Sequence, residues 1–87
     1  MKVFPRYKNK EIKATKTSSE ELWRYRKDLW DVLNILEKGY PCPRGKRKGN
    51  VIEKCWRKGD KVYKAVVAGL EDYYLLTHFG KFTYKKR

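Results

Sequence analysis

Two β-rich runs meet at Gly59-Asp60, and this dipeptide constrains the chain more than any other feature. Glycine adopts a positive φ without steric cost, and a Gly-Asp pair between such runs signals a two-residue hairpin. With Gly59 and Asp60 as the loop, the register follows. Lys58 faces Lys61, Trp56 faces Tyr63, Cys55 faces Lys64, Glu53 faces Val66 and Ile52 faces Val67. A second tight turn centred on Leu70-Glu71 returns a third strand. It sets Val67 opposite Tyr74, Ala65 opposite Leu76, Lys64 opposite Thr77 and Tyr63 opposite His78. Residues 50–79 thus read as three antiparallel strands.

Successive strand residues point to opposite sides, so this register sorts the side chains into two faces. Ile52, Lys54, Trp56, Tyr63, Ala65, Val67, Tyr74, Leu76 and His78 share the bulkier, mostly apolar face, which is the expected core. Val51, Glu53, Cys55, Arg57, Val62, Lys64, Val66, Tyr73, Leu75, Thr77 and Phe79 share the other. There Glu53, Arg57, Lys64 and Thr77 gather around one spot. Such a cluster reads either as a cross-strand ion pair on a solvated sheet or as a site, and both readings stay open. A slip of one residue in the Ala68–Asp72 turn would exchange the faces of the third strand and bring His78 across.

Upstream, Ser18 with Glu21 three residues later fits a capping box, and the acids suit the positive end of a helix. Gly39 marks the stop, and Pro41 and Pro43 prevent resumption. Between these signals Leu22, Tyr25, Leu29, Val32, Leu33 and Leu36 fall on one helical stripe, bordered by Trp23 and Trp30. The expectation is one helix over Ser18–Lys38, or two short ones if Asp28 with Asp31 caps a second after a break near Arg26-Lys27. Either version lies across the sheet and buries its Ile52/Trp56/Val67/Leu76 face. The fold class expected is therefore α+β, with helix on one face of a small antiparallel sheet of three to four strands. Residues 11–16 alternate weakly and are the candidate extra strand. Gly80 is expected to bend the chain before the final segment. Residues 1–10 and 84–87 read as basic ends, loose or edge-like, of a single domain spanning 1–87.

The chain carries 23 Lys and Arg against 10 Asp and Glu, a net charge of +13 in 87 residues. The cations gather before the helical segment and after it, so the field favours a polyanion, with nucleic acid ahead of an anionic membrane. The loop at 40–49, YPCPRGKRKG, concentrates Arg44, Lys46, Arg47 and Lys48 beside two glycines whose N–H groups phosphate can approach. These four are the candidate nucleic-acid ligands. The spacing is not that of a P-loop, and no HExxH, GxSxG, GxGxxG or CxxC is present. Cys42 and Cys55 with the single His cannot complete a four-ligand zinc site, so neither metal nor cofactor is expected. Free thiols are the expectation for the cysteines. The Lys- and Glu-rich, Gln-free composition resembles that of heat-adapted proteins, in which intracellular disulfides do occur. Charge follows Met1–Pro5 where a secretory signal would be apolar, and no stretch reaches membrane-spanning length, so a cytoplasmic protein is expected.

The order of a helix ending in LEKG, a basic KRK loop, then IEKC, KVYKAVVA and YYLLTHFG is similar to a family of small archaeal and bacterial domains. That family is grouped distantly with BrnT-like toxins of the RelE/ParE superfamily. The resemblance covers roughly residues 11–82 and is one of pattern. It implies a RelE-like fold whose exposed sheet face cleaves RNA without metal, or binds a small antitoxin-like protein after losing catalysis. Arg47, Glu53, Arg57, Lys64 and Tyr84 match the scattered catalytic residues of such toxins. In the chemistry implied, Glu53 is the base for a ribose 2′-OH. Arg57 and Lys64 stabilise charge on the phosphate, and Tyr84 or His78 is the acid. In the register above His78 lies beside Tyr63 on the core face, which favours a structural role. The residues themselves favour a non-catalytic nucleic-acid-binding protein, with RNA ahead of DNA.

Overall fold

The computed structural model describes residues 4–42 and 49–83. In chain order its elements are β1 (Arg6–Tyr7), β2 (Lys10–Ala14), α1 (Lys16–Arg24), α2 (Leu29–Lys38), β3 (Tyr40–Pro41), β4 (Val51–Lys58), β5 (Lys61–Gly69) and β6 (Tyr73–Thr83). The Gly59-Asp60 hairpin forms as its sequence demands. Gly59 takes φ +64°, and β4 and β5 pair from Lys58–Lys61 through Trp56–Tyr63 and Ile52–Val67.

The sheet is larger than the expected three or four antiparallel strands. Among the described residues it has six strands in the order β1-β2-β6-β5-β4-β3, and β2 runs parallel to β6. The expectation of a single helix on a small antiparallel, RelE-like sheet is corrected accordingly. Lys8 and Asn9, at φ +50° and +69°, make a two-residue hairpin between β1 and β2, and Asn tolerates that conformation well. The first ten residues are thus an edge of the sheet where they are described, with Pro5 and Tyr7 buried. A parallel pair needs a long crossover. Here the chain passes through both helices and three strands between β2 and β6.

The helical segment is broken into two. Thr15, not Ser18, caps α1, its side chain accepting from the Ser18 N–H. Ser18 sits fully buried inside the helix and donates its hydroxyl to Leu76 O at 2.6 Å. After Tyr25 the chain turns through Arg26 in the left-handed region, φ +56°, and the Lys27 N–H returns to Leu22 O at 2.9 Å. Asp28 then caps α2 in a reciprocal box with Asp31, as the two-helix alternative anticipates. Leu22, Val32 and Leu36 of the stripe are buried together with Ile35. Tyr25, Leu29 and Leu33 pack against them. Gly39 ends α2 for a steric reason, since a Cβ there would stand 2.6 Å from Cys55 O.

The third strand departs from the expected register. Val67 faces Leu76 and Val66 faces His78, which leaves Thr77 as an extra, bulged residue. Beyond it Ala65 faces Phe79, Lys64 faces Gly80 and Tyr63 faces Lys81, and the strand continues through Gly80 without the expected bend. The core is therefore built on Ile12, Ala65, Val67, Leu76 and Phe79 under the helices, with Phe79 opposite Ala65 where Leu76 was expected and His78 excluded from it.

Cys42 and Cys55 are joined by a disulfide, which corrects the expectation of free thiols. The bridge is buried with Val62 on the face away from the helices. The chain's main hydrophobic face is already committed elsewhere, so this second small cluster relies on the cross-link. Replacing both cysteines by Ala should lower stability by about 2–4 kcal/mol, the usual scale for a loop of this size, read as a fall in Tm. The native protein should take no thiol label without reductant, and labelling at both cysteines would contradict the bridge.

Candidate nucleic-acid interface

Both helices pack on one side of the sheet, and among the described residues no helix covers the other. The pairings decide which residues share this open face. From the β1 edge they bring across Arg6, Glu11, Lys13, Tyr73 and Leu75, then Ala68, Val66, Lys64, His78 and Phe82. Val51, Glu53, Arg57 and Tyr40 complete the face. Tyr40 and Phe82 are exposed, Tyr73 is half-buried, and Val51, Val66, Ala68 and Leu75 form an aliphatic floor between them. Lys13 stands over the Tyr73 ring at 4.8 Å from its centroid, a cation–π contact that holds the ammonium on the face.

Glu53 and Lys64 are brought together as expected, with Lys64 Nζ 3.7 Å from Glu53 Oε2. That distance is long for a charge-assisted hydrogen bond. The Glu53 side chain is only 15% exposed, and its Oε2 is buried without a hydrogen-bond partner among the described residues. A buried carboxylate oxygen lacking a donor is costly, and a hydroxyl or N–H entering from outside would relieve it. Arg57 lies on the same face, four residues along β4, and its Nε donates to Gly59 O at 2.9 Å across the hairpin turn. Thr77 is bulged, and its hydroxyl donates to Val66 O at 3.2 Å.

His78 stands opposite Val66 on the same face as the pair, while Gly80 takes the position opposite Lys64 that the expected register assigns to Thr77. With Glu53, Lys64, Val66, Gly80 and Glu21, His78 lines a cleft of ≈ 290 Å³. Glu21 reaches this cleft from α1, its carboxylate accepting the Phe79 N–H at 3.1 Å. The expected structural histidine of the core is thus an exposed histidine on the open face. The only sequence signal for this was the one-residue slip that would carry His78 across. The slip occurs at Thr77 and not in the turn. Arg6 and Lys13 escaped the sequence reading, because only the β1–β2 hairpin and the parallel β2–β6 pairing bring them onto this face, beside the Tyr73 that the sequence already placed there.

Arg44, Lys46, Arg47, Lys48 and Tyr84 lie outside the described residues. The chain on either side of the basic loop is anchored. Cys42 is bonded to Cys55, and Asn50 exchanges hydrogen bonds with Gly69, giving its side-chain N–H to Gly69 O and accepting the Gly69 N–H at 2.8 Å. Among the described residues no group of His, Cys, Asp and Glu is arranged to hold a metal ion. Comparison with protein-family models, with curated proteins and with solved structures finds no match to this chain.

Proposed function

We propose that this protein binds nucleic acid on the open face of its sheet, and single-stranded RNA before duplex DNA. One observation carries the reading. In a chain of net charge +13, the face left without helices sets Arg6, Lys13, Arg57 and Lys64 around the aromatic rings of Tyr40, Tyr73 and Phe82. Cations track phosphates, and aromatic rings stack on unpaired bases, which single strands and RNA loops offer and duplexes do not. Glu11 and Glu53 are the acids among the described residues of that face, and Glu53 is engaged with Lys64. The basic loop with Arg44, Lys46, Arg47 and Lys48 runs between two points anchored to β4 and β5, which supports its joining the same interface. No helix among the described residues is long and apolar enough to cross a membrane. The setting proposed is the cytoplasm of a heat-adapted cell, where intracellular disulfides persist.

Neutralising Arg6, Lys13 and Arg57 to Gln should weaken binding to oligouridylate. It should also reduce the slope of log K against log salt by about 2, at roughly 0.7 per lost phosphate contact. Failure of the wild type to bind either RNA or DNA at low salt would reject the reading.

A second reading, an endoribonuclease that needs no metal, is favoured by the cleft that Glu53, Lys64 and His78 share. It is also the activity that the likeness to BrnT-like toxins implies. Glu53 would take the proton of a ribose 2′-OH as its oxygen attacks the adjacent phosphorus. Lys64 and Arg57 would hold the charge growing on the phosphoryl oxygens. Protonated His78 would give its proton to the departing 5′ oxygen, leaving a 2′,3′-cyclic phosphate. Glu53→Gln and His78→Ala should each slow cleavage by about 10²–10⁴-fold in the presence of chelator while leaving RNA affinity nearly unchanged. The assay requires both naked RNA and translating ribosomes. If the wild type cleaves neither, Glu53 and Lys64 are an ion pair on a binding face and nothing more.

A further inference from the structure

Trp23 is 83% exposed and Trp30 50% exposed, although Trp is highly buried on average in folded proteins. Together with Phe4, Pro5, Leu22 and Leu29 they line a groove of ≈ 420 Å³ on the helix side of the molecule, within the size range of binding pockets. Its polar lining is sparse, and the carboxylate of Asp28 is already committed to capping α2. Arg24, Arg26 and Lys27 gather at an adjoining opening beside Trp23. Lys27 is drawn inward over the Tyr63 ring at 4.8 Å, which leaves the two arginines to face a visitor.

We propose that this groove docks a segment of a partner protein that presents an apolar side chain flanked by carboxylates. The apolar group would insert between Trp23 and Trp30, and the carboxylates would meet Arg24 and Arg26. Charge selects this occupant. The cations of the two helices and their turn are equalled in number by Glu20, Glu21, Asp28, Asp31 and Glu37, so the helical segment carries no net charge in an otherwise strongly basic chain. A phosphate backbone finds little field there, whereas one or two carboxylates against adjacent arginines are enough to orient a partner. A second copy of the chain would bring its own net charge of +13 against this one. The lining agrees: an apolar groove rimmed by Trp and Arg has the composition of an interface hot spot. It also offers few donors or acceptors to read the edge of a base.

The test selects short random peptides displayed on phage for binding to the wild type at high salt, with counter-selection on the Trp23→Ala/Trp30→Ala variant. Both side chains are exposed, so that variant should keep its fold and its circular-dichroism melting curve. The surviving peptides should share a large apolar residue next to Asp or Glu. When synthesised, they should lose at least about tenfold in affinity for the Trp variant and for Arg24→Glu/Arg26→Glu, the scale of a central anchor. Oligouridylate should bind the wild type and the Trp variant alike. The proposal is overturned if no peptide survives counter-selection, if the survivors lack carboxylates or ignore the arginine change, or if oligouridylate loses affinity for the Trp variant. The last outcome would assign the groove to nucleobases.

Discussion

One residue of β6, Thr77, has no partner on β5, and both faces of the sheet depend on that extra residue. Leu76 points into the core opposite Val67, Thr77 is set aside, His78 turns outward opposite Val66, and Phe79 turns inward opposite Ala65. Phe79 then packs 6.2 Å from the Tyr63 ring and 6.1 Å from the Tyr25 ring, joining sheet and helices. Without the bulge, alternation would drive an imidazole into that space and leave a phenyl ring in solvent. The helix α1 brackets the irregularity, since Ser18 binds Leu76 O before it and Glu21 binds Phe79 N after it. The Phe79 N–H lies beyond β2, whose pairing with β6 ends at Leu76, and without α1 it would belong to an open strand edge.

One local change thereby divides the molecule into two surfaces of different chemistry. The helix side holds the core and, outside it, an almost neutral apolar groove between two exposed tryptophans. The open sheet side holds cations, aromatic rings and a single histidine next to a carboxylate oxygen that lacks a hydrogen-bond donor among the described residues. The disulfide consolidates the second side, because Cys55 lies two residues from Glu53 and two from Arg57 on the same strand face. A polyanion on one side and a carboxylate-bearing protein segment on the other, as proposed, would not compete for the same residues.

The hairpin at Gly59-Asp60 was legible because glycine at a two-residue loop admits few alternatives, and every pairing it implied between β4 and β5 is present. The Glu53–Lys64 pair followed from that register alone. The helical stripe was legible as a strong local pattern, and the Asp28–Asp31 box was legible as one of two alternatives, a break near Arg26-Lys27 or none. The third strand was not, because YYLLTHF is apolar at both alternations: Tyr73 and Leu75 suit a buried face as well as Tyr74 and Leu76 do. Its register is decided by Ser18 and Glu21, more than fifty residues away in sequence. The two-residue strands β1 and β3 carry too few residues to show any period, and a parallel partner leaves no local mark. Spacing alone could not distinguish a Cys42–Cys55 bridge from two free thiols. The histidine of the cleft was misplaced for the same reason as the strand that bears it.

Nuclear Overhauser contacts of the Phe79 and His78 rings test the bulge most directly. The Phe79 ring protons should contact the Ala65 methyl group and the rings of Tyr25 and Tyr63, while the His78 ring protons contact the Val66 methyl groups. Contacts from His78 to Ala65 and Tyr63, with Phe79 touching Val66 instead, would contradict the bulge and remove the histidine from the Glu53–Lys64 cleft.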